Sequence, residues 1–181
     1  MYTHIIRPGA CCQHIHAAQL DSVPVPCAIW GVSIRGRLEQ RTFTGSADEA
    51  VVSILVAADQ VDRALSAVVE PHGITTDQYN VLRILRGVHA KGHPRREIAR
   101  RMIRRAPDVT RMLDRLIKRK LIVRIRDPED GRLSVARIAP TGINLLARID
   151  PEIEAAQLAL TSTLTQAELR QLVRLCNSLV R

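Results

Sequence analysis

Aromatic side chains are almost missing from this 181-residue sequence, which has one Trp, two Tyr and one Phe. That scarcity argues against a surface that stacks successive bases of a single strand, and leaves Leu, Ile, Val and Ala to fill a core. No apolar run approaches the roughly 18 residues of a membrane-spanning helix. The N-terminus lacks a basic segment followed by an apolar block and a small-residue cleavage site. A cytoplasmic location without a membrane partner is therefore expected. The four cysteines, at positions 11, 12, 27 and 176, have no framework spacing, so free thiols are expected. CCQHIH, Cys11 to His16, gathers soft ligands, but a closed zinc site takes four ligands, usually from two separated pairs. Neither a metal nor a cofactor is expected. No paired carboxylates, nucleophile with its base, or phosphate-cradling glycine loop stands in a sensible setting, which argues against an enzyme.

Positive charge is abundant, and it is localised. The formal net charge is +9. Residues 73–138 hold 18 Lys or Arg against 7 Asp or Glu, which leaves 9 basic and 11 acidic residues for the rest. Excess charge concentrated on one compact unit points to a polyanionic partner, nucleic acid before an anionic membrane. The membrane reading is weaker because the basic helices have no Trp or Phe on their apolar faces.

Residues 1–44 show no sustained period and read as a poorly ordered N-terminal extension. At SADE, Ser46 and Glu49 have the spacing of a capping box. Val51, Ile54, Leu55, Ala58, Val61, Leu65 and Val68 then recur at helical spacing, which predicts a long helix within 45–72. TTDQ offers a second box, Thr75 with Gln78, before a helix with Tyr79, Val81, Leu82 and Leu85 inward. A short helix is predicted over about Pro94 to Met102, with no strand before the next helix. That next segment, RRAPDVTRMLDRLIKRK, runs from Arg104 to Lys120 with seven basic and two acidic residues. Its Val109, Met112, Leu113, Leu116 and Ile117 form one apolar stripe, and Pro107 suits a first helical position. LIVRIR and LSVARI, separated by DPEDGR, read as a hairpin. A long helix from Pro140, containing Pro151, follows. TQAE, Thr165 with Glu168, opens a last helix whose stripe includes Leu172, Leu175, Cys176 and Leu179.

Two short helices and a basic hairpin make a winged helix-turn-helix. With long helices on both flanks, the chain resembles the multiple antibiotic resistance regulator (MarR) family of bacterial transcription factors. ITTDQYNVLRIL, REIARRMIRRAPDVTRMLDRL and the wing RDPEDGRLSVARIAPTG carry the resemblance, which spans about residues 46–181. It implies a mainly α fold with a small β-hairpin wing: an N-terminal dimerisation helix over 45–72, a winged helix-turn-helix over 73–138, and C-terminal dimerisation helices over 139–181. It further implies a homodimer on a pseudo-palindromic operator in double-stranded DNA. The recognition helix spans Arg105 to Arg115 in this reading, and the expected interface includes Arg104, Arg105, Asp108, Thr110, Arg111, Arg115 and Lys118. In the wing, Arg132 enters the minor groove and Asp130 fixes an arginine. Asp108 and Asp114, unfavourable beside phosphates, are expected to orient arginines or accept from cytosine. His72 and Tyr79 are candidates to line an effector pocket, the family's usual effector being a small aromatic or phenolic acid. Two departures from the family pattern are Lys120, where glycine is common at a helix end, and Ala139, where threonine is common before the proline.

Two other functions fit the residues less well. A nonspecific RNA- or nucleoid-binding protein would use the basic third only as a charged surface. A cysteine-based redox regulator would need a thiolate in a cationic setting, whereas Cys176 reads as core and Cys11, Cys12 and Cys27 lack activating neighbours.

Overall fold

The computed structural model describes residues 34–39, 42–88, 91–104, 108–126 and 134–180. The chain divides into a unit over Met1–Phe43, in which helix α1 (Ile34–Arg37) is described, and a unit over Thr44–Arg181. CCQHIH lies outside the described residues, as do Cys27 and the wing tip with Asp130 and Arg132.

The second unit begins with α2 (Ser46–Val69), continued by a 3-10 turn over Glu70–His72. The expected box at its start does not form. Gly45 is the N-cap without a side-chain bond, and Ser46 already lies in the first turn. Asp48 instead accepts from the Thr44 N–H at 3.0 Å, placing a carboxylate at the positive end of the helix. Helix α3 (Thr76–Arg86) opens on the predicted box of Thr75 and Gln78, and α7 (Gln166–Leu179) on that of Thr165 and Glu168. Both boxes satisfy backbone N–H groups that the first turn leaves unpaired.

Between α3 and α4 (Arg95–Arg101) lies a strand that the sequence did not predict, β1 (His93–Pro94). It pairs antiparallel with β3 (Ser134–Ile138), which also pairs with β2 (Ile122–Arg126), giving the order β1-β3-β2. Two residues, one of them proline, carry no period to detect. The signal is Gly92, which adopts φ 72°, and a Cβ there would stand 2.5 Å from the Ala136 carbonyl oxygen. Only glycine allows that approach and that backbone.

Helix α5 (Val109–Lys118) starts later than Pro107, because Asp108 caps it by accepting from the Arg111 N–H at 3.0 Å. Val109, Leu113 and Leu116 are buried, and Leu116 packs in one cluster with Leu82, Leu85, Ile98, Leu146 and Ile149. Burying a leucine fully contributes about 1.5–3 kcal/mol, so this stripe fixes the helix. At its end, Lys120 has φ 59°, its N–H bonds Ile117 O at 2.8 Å, and the Leu121 N–H bonds Leu116 O at 3.0 Å. These paired bonds are a Schellman ending, normally closed by glycine.

Helix α6 (Pro140–Thr161) begins at Ala139, which supplies no side-chain cap, with Pro140 in the first turn. The Thr-Gly pair beyond has a structural purpose. Thr141 Oγ1 donates to the Lys120 carbonyl, and a Cβ on Gly142 would meet the Leu121 carbonyl oxygen at 2.3 Å. Helix α6 packs against α2 and α3.

Replacing Lys120 with glycine should therefore raise unfolding free energy by about 1 kcal/mol, measured as a higher urea midpoint at unchanged slope. Gly142→Ala should lower that midpoint, since backbone must move to admit the methyl group.

Candidate nucleic-acid interface

The buried stripe of α5 leaves Thr110, Arg111, Arg115 and Lys118 on the exposed side. Arg111 is held there by Asp108, with 2.9 Å between Nε and Oδ2. One carboxylate thus caps the helix and orients an arginine. Asp114 lies 3.0 Å from Arg124 Nη2 on β2, so it ties the wing strand to the helix. Thr110 Oγ1 accepts a long bond from Arg95 Nη1, 3.4 Å.

The expected site residues do not all share this helix. Arg104 precedes α5 in a bend, and its guanidinium pairs with Asp62 of α2. Arg105 and the wing-tip pair of Asp130 and Arg132 fall outside the described residues. Sequence reasoning missed two structural roles. Asn80 Oδ1 accepts from the Ile103 N–H at 3.1 Å, fixing the turn between α4 and α5. Arg119, at the end of α5, donates to the Gly73 carbonyl and, over 3.2 Å, to that of His72. An asparagine in a helix and an arginine in a basic run carry no pattern that would reveal either partner.

Tyr79 and His72 take separate places. Tyr79 is buried, and its hydroxyl donates to Asp150 at 3.0 Å while Arg86 pairs with the same carboxylate. Burial, reinforced by the Asp150 hydrogen bond, pushes its phenol pKa up to about 12. Tyr79 thus packs as a core residue. His72 lines a cleft of about 530 Å³ with Arg119, Thr141, Asn144, Leu145 and Arg148 among its other walls, and its Nε2 is 3.1 Å from Glu152 Oε1.

Comparison with known proteins follows this geometry. The MarR family's sequence profile matches residues 74–134, from the start of α3 to the start of β3. The MarR transcription factor of Planctomyces limnophilus is 30% identical, with a TM-score of 0.58 over 75% of this chain and 98% of its own. The chain belongs to the MarR family. It is also 26% identical to the HTH-type transcriptional regulator MhqR of Bacillus subtilis (strain 168), over 62% of this chain and 74% of that protein. A mutant MarR from E. coli, solved with operator DNA, shares the fold, with TM-score 0.64 and 24% identity over 71% of this chain and 91% of its own. The MarR assignment makes this a transcription regulator with a DNA-binding winged-helix fold, in a family of regulators and not of enzymes. Among the described residues, no helix is long and apolar enough to cross a membrane.

One titratable group in the sheet of this MarR protein is badly placed for protonation. His93 Nε2 is buried without a hydrogen-bond partner among the described residues. Burial first, and then Arg101, hold its pKa below the ordinary histidine value, Arg100 adding to the effect and Glu97 opposing it. The unfolded chain therefore binds more protons near that value, and stability rises with pH there. Urea midpoints should fall as pH drops below about 6.5, and His93→Gln should flatten that part of the profile.

Proposed function

We propose that this chain is a homodimeric repressor that binds a pseudo-palindromic operator in double-stranded DNA and responds to a small-molecule effector. The observation that carries this reading is α5 itself. One face is locked into the core by Val109, Leu113 and Leu116, while Thr110, Arg111, Arg115 and Lys118 stand on the other. A helix fits the major groove, and arginine can contact guanine with two parallel hydrogen bonds. In this reading Arg105 meets phosphate at the edge of the same surface, Asp108 orients Arg111, and Arg132 of the wing enters the minor groove, with Asp130 fixing an arginine beside it.

Dimerisation has its own support. Val51, Leu55 and Val61 on α2, and Leu172, Val173, Leu175 and Leu179 on α7, are large apolar residues exposed in the single chain. Their periodic spacing resembles a core cut in half, which is how obligate dimer interfaces look. Cys176, expected in a core, is exposed on α7, and a second copy would bring it into that interface. We assign the ligand-binding part of the reading to the cleft beside His72. Arg119 and Arg148 in its wall suit the carboxylate of an aromatic or phenolic acid, and release would require tighter binding to the DNA-incompetent arrangement.

The test is titration of the full chain against its own upstream DNA and a shuffled duplex over a range of salt. A preference of about a thousandfold or more is expected, with Arg111→Ala and Arg132→Ala each costing about 1–3 kcal/mol of it. Equal affinity and equal salt slope for both duplexes would instead mean a surface that reads charge alone. Sedimentation should give a dimer, dissociated by Leu172→Glu combined with Leu175→Glu.

A further inference from the structure

Helix α5 is tied to the α2 segment before it begins and after it ends. On the N-terminal side, Arg104 pairs with Asp62, a residue in the last third of α2. On the C-terminal side, Arg119 donates to the carbonyls of His72 and Gly73, where the 3-10 turn that prolongs α2 stops. Gly73 has φ 74°, and a Cβ there would be 3.2 Å from Arg119 Nη2, so the guanidinium is seated closely against this corner.

From these two ties we infer that Arg104 and Arg119 are positioning residues that fix the angle of α5 relative to α2, and that Arg104 acts through Asp62 and not on a phosphate. This inference rests on the reading of α5 as the operator helix. An arginine already paired with a carboxylate presents little net charge to DNA, and moving it onto a phosphate would leave Asp62, whose side chain is about one-third exposed (32%), without its partner. Two ties, one at the C-cap of this ten-residue helix and one five residues before its first residue, resist rotation about either one. A partly exposed ion pair stabilises a fold only slightly, so its consequence lies in orientation. In a symmetric dimer, the angle of α5 on α2 sets the separation of the two recognition helices, and therefore which half-site spacing is accepted.

The experiment compares the native operator with one lengthened by a single base pair between half-sites, for the unmodified chain and for Asp62→Asn, Arg104→Gln, Arg119→Gln, the reversed pair Asp62→Arg with Arg104→Asp, and Arg111→Ala. Discrimination between spacings should fall about two- to fivefold in each of the first three, with the salt slope unchanged. The reversed pair should recover it. If Arg104→Gln lowers the salt slope by about one, or Asp62→Asn tightens binding, Arg104 is a phosphate contact and the inference is overturned. Unchanged spacing discrimination in the three single variants also overturns it. Arg111→Ala separates the two levels. If it weakens binding while the ties have no effect, only this inference fails, whereas indifference to Arg111→Ala removes the operator-helix reading beneath it. Circular dichroism and melting of each variant exclude loss of fold as the cause.

Discussion

Three parts of the molecule meet at the backbone of Lys120 and Leu121. The Leu121 N–H closes α5 through Leu116 O, and its carbonyl accepts from the Ala139 N–H at 3.0 Å. The same carbonyl lies under Gly142, and the Lys120 carbonyl takes the Thr141 hydroxyl. Helix α5, the wing hairpin and the first turn of α6 are therefore joined by main-chain groups whose positions leave almost no slack. A side chain at position 142 would separate them, and the left-handed backbone at 120 turns the chain directly from helix into strand. Each buried peptide group must find a partner, and here the partners come from three elements at once.

Around that corner, electrostatics divides the arginines by function. Arg86 with Asp150, Arg104 with Asp62 and Arg124 with Asp114 each join two elements, whereas Arg111 with Asp108 and Arg100 with Glu97 stay within one helical neighbourhood. The basic third of the sequence is thus not a uniform field. Part of its charge is spent on internal geometry, and the part left on the outer side of α5 is the one suited to a polyanion. Most of these pairs are too exposed to add much stability. Their value lies in choosing one arrangement among several of similar energy.

The fold was legible wherever apolar residues recur at a regular period. The stripes of α2, α3, α5 and α7 and the two hairpin strands follow from apolar recurrence, and the starts of α3 and α7 from the boxes at Thr75 and Thr165. Lys120 stood out only as a departure from the family's glycine at a helix end, and the lysine adopts the left-handed backbone that a glycine would favour there. Ser46 misled because S-x-x-E specifies a pair of bonds, not a position, and Gly45 already allows the chain to enter the helix. Strand β1 was hidden because two residues have no period. The ties made by Asn80, Arg104 and Arg119 depend on partners 23 to 47 residues away, a distance at which sequence spacing carries no geometric information.

The stripe on α7 makes the last point. Its apolar spacing is as regular as that of α5, yet Leu172, Leu175 and Leu179 are exposed while Leu113 and Leu116 are buried. Periodicity states that a face must be covered, not which chain covers it. In α5 the cover comes from α4, β2 and the core cluster of the same chain. In α7 the described residues leave that face open, and a second copy would present the same face at the same spacing. If so, the stability of the C-terminal helix is linked to protein concentration by mass action. In a dimer built on that face, the apolar pattern that makes the long helices foldable would also set the separation of the two α5 helices, so assembly and recognition would be two consequences of one buried surface.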